Sequence, residues 1–125
     1  MENCTKLETL KASSNAITDI SVLPKLTNLV TFDGSHNKIT SVPTFPKDCA
    51  LKNIDLTGNE VTSVKGLGGL VGLNNVHLDG NPVTDLSPLA DCYNLVQVDA
   101  WGCPVTDESV TALKAHDILV NYDPN

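Results

Sequence analysis

The chain has 125 residues, enough for one domain of ordinary size. Hydrophobic residues make up 41% of it and aromatic residues only 4%, so Leu, Val and Ile must form most of its core. Eight lysines and no arginine stand against fifteen acidic residues, and the net charge of −7 argues against binding to nucleic acid or to an anionic membrane surface.

A 22-residue period runs through the chain from its start. Three series share it, namely Leu7, Leu29, Leu51, Leu73 and Leu95; Asn15, Asn37, Asn59, Asn81 and then Cys103; and Ile17, Ile39, Val61, Val83 and Val105. The period predicts a solenoid of five stacked turns over residues 1–106. Cys4 precedes Leu7 as Cys92 precedes Leu95, so we expect an uncapped start, as in a piece of a longer solenoid.

Each unit follows the pattern LxxLxLxxNxIxxLxxLxxLxx. The LxL part alternates with period two and predicts a short strand whose apolar residues both face inward. The remainder has a spacing of three, which favours 3₁₀ or extended segments on the other side of each turn. One unit cannot bury its apolar residues alone, so the turns must stack and their strands should form one parallel sheet.

The Asn series predicts a structural ladder. An amide placed where the strand turns into the loop can satisfy backbone groups of adjacent turns, and Cys103 can replace the last Asn less effectively. The segment over residues 43–50 departs from the pattern because Asp48 occupies a Leu position. We therefore expect a local distortion there.

The period breaks after Thr106. Asp107 is predicted to cap a short helix over residues 108–115, with Val110 and Leu113 inward. A last strand should follow, with Ile118, Val120 and Tyr122 alternating, and end at residues 123–125. Residues 107–125 are therefore predicted to form a C-terminal cap.

These repeats resemble the leucine-rich-repeat family. The segments NAITDIS at residues 15–21, LTNL at residues 26–29 and NPVTDLSPL at residues 81–89 are similar to repeats of internalin-type bacterial surface proteins. The resemblance implies an α/β, mainly β solenoid with a parallel concave sheet. It also implies a surface or secreted adhesin-type module in bacteria, one that binds a partner protein and is not an enzyme.

The cysteines and histidines do not predict chemistry. Cys4 and Cys92 lie four turns apart, roughly 19 Å, whereas a disulfide needs Cα atoms within about 7 Å. No CxxC pair anchors a zinc site, and His36, His77 and His116 fall in unrelated registers without a nucleophile. Free thiols favour a cytosolic or anaerobic setting, which leaves open an intracellular scaffold or regulatory subunit. A purely structural spacer in a longer solenoid is a third possibility.

Candidate binding residues are those that alternate with the inward LxL positions. They form three columns: Thr9, Thr31, Asn53, Asn75 and Gln97; Lys11, Asp33, Asp55, His77 and Asp99; and Ser13, Ser35, Thr57, Asp79 and Trp101. The predicted partner-binding surface combines an acidic centre with an aromatic anchor and a polar flank, and it consists of Asp33, Asp55, His77, Asp79, Asp99, Trp101, Asn53, Asn75 and Gln97. A protein with a basic, Lys- or Arg-bearing segment is the expected partner.

Two other interpretations of this surface stay open. Trp101 can pack against the C-terminal cap instead of projecting, and the acidic column can serve only to solvate the sheet. Asp55, His77 and Asp99 lie on adjacent turns, where oxygen and imidazole ligands can converge on a metal ion. Nevertheless, neither a metal nor a cofactor is predicted.

Overall fold

The computed structural model describes residues 6–122, which form six short strands in one sheet. The strands are β1 (Thr9–Lys11), β2 (Thr31–Asp33), β3 (Asn53–Asp55), β4 (Asn75–His77), β5 (Gln97–Ala100) and β6 (Leu119–Tyr122). Each strand pairs in parallel with the next one along the chain, and paired residues are 22 positions apart, as in Thr9 with Thr31 and Gln97 with Leu119. The predicted parallel solenoid is confirmed. The expectations about Cys4 and residues 123–125 concern positions outside the described residues.

The side of each turn opposite the sheet, here called the convex side, carries 3₁₀ helices at Leu23–Lys25, Lys65–Leu67 and Ser87–Asp91. The segment between β2 and β3 has no such helix. Asp48 is exposed there, whereas Leu26 and Leu70, which occupy its equivalent positions in other turns, are buried. A carboxylate at a core position cannot be buried without a partner, so this turn lies differently, as the sequence predicts.

Inward side chains of successive turns fill the core in layers. Phe32 in β2 and Gly34 just after it occupy the LxL positions of their turn, where the next turn has Ile54 and Leu56. A Cβ atom added to Gly34 would lie 2.6 Å from the Phe32 ring. The ring therefore occupies the space that the second side chain fills in the other turn.

The side chains at the predicted ladder positions bond to backbone groups of their own turn and of the turn before it. Asn59 donates from Nδ2 to the carbonyls of Gly34 and Leu56, both at 2.9 Å, and its Oδ1 accepts the Ile39 N–H at 3.0 Å. Asn37 and Asn81 make the same contacts one turn earlier and one turn later. Cys103 continues the ladder with its thiol, whose Sγ lies 3.0 Å from the Leu78 carbonyl.

The turn that precedes each ladder position requires a positive φ angle. The residues at this register have φ between 57° and 77°, and they are Ser14, His36, Gly58, Gly80 and Gly102. Glycine adopts this region without steric cost, whereas a residue with a Cβ atom is strained there. At Gly58 the missing side chain also makes room for the His36 imidazole, whose Nδ1 lies 2.7 Å from where a Cβ would be.

Helix α1 (Asp107–Lys114) packs against the 3₁₀ helix Ser87–Asp91 and against β6, and it buries Val110 and Leu113, as predicted. The prediction that Asp107 caps this helix is wrong. Thr106 is the N-cap, because its backbone is extended and its side chain accepts the Ser109 N–H at 3.2 Å. Asp107 instead lies in the first turn, where its charge favours the helix dipole. Consequently, the helix both begins and ends one residue earlier than the predicted range, 108–115.

Candidate functional site

The strand register places the first two predicted columns side by side on one face of the sheet, here called the concave face, and the third column follows just after the strands. Thr31 pairs with Asn53 and Asn53 with Asn75, while Asp33 pairs with Asp55. Neighbouring members of a column are therefore about 4.8 Å apart. The residues that the sequence singles out on β2 to β5 do lie together.

Asp33 and Asp55 use one carboxylate oxygen each to hold the local turn. Oδ1 of Asp33 accepts from the Ser35 N–H and hydroxyl at 3.0 and 2.8 Å, and Oδ1 of Asp55 accepts from the Thr57 N–H at 3.0 Å. Within residues 6–122, neither Oδ2 atom has a hydrogen-bond partner. Both carboxylates line a shallow concavity of about 270 Å³, with Lys11 and His77 also in its wall.

Asp99 is at the centre of a hydrogen-bonded network across three strands. Its Oδ2 lies 2.7 Å from His77 Nδ1, and its Oδ1 accepts from Gln97 Nε2 at 3.0 Å and Asn121 Nδ2 at 2.7 Å. The Asp99 side chain is only 15% exposed and that of His77 is 40% exposed. Partial burial acts to raise the pKa of Asp99, but the hydrogen bonds from Asn121, Gln97 and His77 outweigh it and lower that pKa.

Trp101 is 48% exposed, so the cap does not bury its indole. Its backbone N–H donates to Asp79 Oδ1 at 2.8 Å. Asp79 thus fixes the backbone that carries the indole, rather than presenting a wholly free carboxylate beside it. Trp101 occupies the C-terminal end of the face, just after β5.

The amide side chains of the first column are linked to one another. Asn75 Nδ2 donates to Asn53 Oδ1 at 3.0 Å, and Asn53 Nδ2 lies 3.4 Å from Thr31 Oγ1. Gln97 does not join this chain because it turns toward Asp99. The face is therefore pre-ordered by its own hydrogen bonds.

The sequence-based columns omitted two residues of the face, Leu119 and Asn121. Strand β6 pairs Leu119 with Gln97 and Asn121 with Asp99, which extends the first two columns by one turn. Counting 22 positions onward from Gln97 and from Asp99 would have found both residues, although the break in the pattern after Thr106 hides that register. Leu119 is 56% exposed.

No group of three or more His, Cys, Asp or Glu side chains within residues 6–122 is arranged to hold a metal ion. His77 Nδ1 faces Asp99 Oδ2 at 2.7 Å. Cys49, Cys92 and Cys103 form no disulfide within residues 6–122, and burial raises the pKa of Cys92.

In the described part of the chain, no helix combines the length and apolar character that crossing a membrane requires.

Replacing Asp99 with asparagine is expected to destabilise the fold by about 1–2 kcal/mol at pH 7, because charged acceptors form stronger hydrogen bonds. Folding lowers the pKa of Asp99, so its ionised form contributes stability that is fully present above the unfolded value, about 3.9. This contribution is lost as the pH falls through the folded value. Urea unfolding of both proteins at pH 7 and below pH 3 tests this, and an equal difference at the two pH values would contradict it.

Solved structures with the same fold include internalin C2 of Listeria monocytogenes, with a TM-score of 0.86 and 26% identity over 98% of this chain and 54% of that one. An internalin of the same species, inlF, gives a TM-score of 0.65 at 18% identity over 98% of this chain and 45% of that one. The leucine-rich repeat domain of APL1B gives 0.78 at 24% identity, over 97% and 36% respectively. The sequence matches no protein-family model and no curated protein.

The stacked parallel strands, the Asn ladder and these structural neighbours define a leucine-rich-repeat solenoid, mainly β in structure. Within that class the chain is internalin-like, because its structural neighbours include internalins. It spans about half the length of internalin C2.

Proposed function

We propose that this chain is a non-enzymatic protein-binding module that holds its partner on the acidic concave face. The observation that supports this most directly is the pair Asp33 and Asp55, whose Oδ2 atoms have no partner within residues 6–122 and line one concavity. A basic side chain of the partner would lie between the two carboxylates, which come from neighbouring strands about 4.8 Å apart. Trp101 would add an apolar anchor at the C-terminal end of the face.

By similarity to the internalins, we propose a surface or secreted adhesin-type role for the parent protein in bacteria. The three free cysteines of the described residues favour a second candidate, an intracellular scaffold or regulatory subunit. Cys92 and Cys103 donate their thiols to backbone carbonyls, a role that suits the reduced state. A signal peptide or wall anchor in the parent reading frame would favour the surface role, and a continuing 22-residue period would favour a structural spacer.

The binding proposal predicts that the double variant Asp33→Asn and Asp55→Asn loses affinity for its ligands by about tenfold or more. Asparagine keeps the Oδ1 acceptor that holds each turn and removes only the charge, so the fold should persist. Ligands are selected from a random-peptide display library on the unmodified chain. Their affinities for the two proteins are then compared by fluorescence anisotropy.

The matched control is Asp19→Asn with Asp85→Asn. These carboxylates hold equivalent turns, accepting the Ser21 and Ser87 N–H groups at 2.8 and 2.9 Å, but they lie on the convex side. The control changes the net charge by the same amount and should leave affinity unchanged. An equal loss of affinity in both double variants would indicate a general charge effect and contradict a site at Asp33 and Asp55. An unchanged affinity in both would also overturn the proposal.

A further inference from the structure

Strand β6 gives the concave face a second exposed apolar side chain. Leu119 is 56% exposed and lies beside Gln97, at the start of the strands, whereas Trp101 is 48% exposed and lies just past their end. Trp101 lies four positions after Gln97 along the chain, and Leu119 lies one strand to the side of Gln97, so the two apolar groups are on the order of 14 Å apart. The Asp99 network lies between them.

Asp99 orients the side chains of Gln97, Asn121 and His77 by accepting from, or facing, one nitrogen of each, so the other polar atom of each side chain points away from Asp99. The side-chain amides of Gln97 and Asn121 each donate a hydrogen to Asp99 Oδ1. The side-chain oxygens of these two amides have no hydrogen bond within residues 6–122. The Nδ1 atom of His77 faces Asp99 Oδ2, which leaves Nε2 on the open side of the ring. In neutral imidazole with Nδ1 protonated, Nε2 is an acceptor.

The region between Leu119 and Trp101 therefore presents acceptors from three adjacent strands, β4, β5 and β6. Their spacing is about 4.8 Å from strand to strand, too wide for one small donor. A guanidinium group carries five N–H donors in a planar fork and no acceptor, so it can bond to several of these atoms at once. An ammonium group is a compact point charge and matches the arrangement less well.

The spacing of the two apolar groups also indicates the backbone conformation of the ligand, which is extended. In an extended segment, residues i, i+2 and i+4 face the same side, and i and i+4 are about 13 Å apart. This distance matches the separation of Leu119 and Trp101. The residue at i+2 then faces the Asp99 network.

We infer that the C-terminal end of the concave face binds an extended partner segment with an arginine centred between two apolar residues. Leu119 and Trp101 contact the apolar residues, and Gln97, Asn121 and His77, held by Asp99, accept the guanidinium N–H groups. This inference rests on the proposed function and narrows it, because it assigns the partner's chemistry and the part of the face that selects it. The acidic surroundings of the face favour the same cationic partner.

The test uses the ¹⁵N-labelled chain and a synthetic peptide with the core Leu-Ser-Arg-Ser-Leu, flanked by glycines and blocked at both ends. Amide shifts of residues 97–101 and 119–122 should move and saturate with a Kd of about 1 mM or below. A peptide with lysine in place of arginine should bind about fivefold more weakly, and one with glutamate should not bind. No shift at about 5 mM peptide, or shifts confined to other regions, would overturn the inference.

Three variants locate the contacts. Leu119→Ser and Trp101→Ala should each weaken arginine-peptide binding about tenfold, since each removes one apolar anchor. Val71→Ser is the matched control, because Val71 is also an exposed apolar residue but does not belong to the three columns. If Asp33→Asn with Asp55→Asn abolishes binding of library ligands while this peptide never binds, the proposed function stands and the arginine site fails. Equal effects of Val71→Ser and Leu119→Ser would also overturn the site.

Discussion

Replacing Asn59 with aspartate is expected to destabilise the solenoid by about 3 kcal/mol or more. The variant keeps the shape of the side chain and the oxygen that accepts the Ile39 N–H. It also turns a carboxylate oxygen toward the carbonyls of Gly34 and Leu56, to which the amide now donates. A buried acceptor facing two acceptors has no hydrogen bond to make, and burial leaves its charge uncompensated.

Urea unfolding followed by circular dichroism measures this loss, with Asn15→Asp as the control. Asn15 begins the same ladder but is exposed, so its substitution should change the free energy of unfolding by less than about 0.5 kcal/mol. Burial raises the pKa of the introduced carboxyl at position 59, and its protonated form can donate again. The defect should therefore be smaller at pH 5 than at pH 8. Equal losses at positions 15 and 59 would show that the ladder does not act as described.

Replacing Gly34 with leucine is expected to cost about 3 kcal/mol or more, because even a Cβ at this position would lie 2.6 Å from the Phe32 ring. Replacing Phe32 with isoleucine should cost about 2 kcal/mol, since the ring leaves a void that glycine cannot fill. Combining the two changes reproduces the Ile and Leu pair of the next turn, Ile54 and Leu56. The double variant should therefore be within about 2 kcal/mol of the original protein.

The informative quantity is the coupling energy from the double-mutant cycle. The double variant is expected to be about 3 kcal/mol more stable than the sum of the two single effects would give. Thermal unfolding of the four proteins provides it. Additive effects would mean that the two side chains do not share one space. That outcome would contradict the layered packing described for β2 and β3.

Most of the fold follows from the sequence because one 22-residue register assigns a direction to nearly every side chain. The LxL positions, the Asn ladder and the replacement by Cys103 are all consequences of that register. The N-cap was misassigned because Thr106 and Asp107 are both good capping residues and adjacent. The structure distinguishes them, because Thr106 has an extended backbone and its side chain accepts the Ser109 N–H.

The composition of the face could be predicted, but not the roles of its carboxylates. Counting by register treats Asp33, Asp55, Asp79 and Asp99 as equivalent, whereas their hydrogen bonds differ. Asp99 is occupied by three neighbours through both of its oxygens, whereas Asp33, Asp55 and Asp79 each use only Oδ1 to hold a nearby backbone N–H. Of these three, Asp33 and Asp55 lie side by side on neighbouring strands and line one concavity. Such differences arise from side-chain rotamers and from β6, and neither is visible in a periodic pattern.

The turn that carries Trp101 and Leu119 is packed more completely than the first described turn. Leu7, Leu10 and Ile17 are only partly buried, whereas Val110 and Leu113 in the C-terminal helix are buried almost completely. Densely packed segments open locally less often than loosely packed ones. Under the proposed function, a ligand beside Trp101 and Leu119 would meet a surface that is already ordered, so ordering the receptor would cost little of its binding free energy.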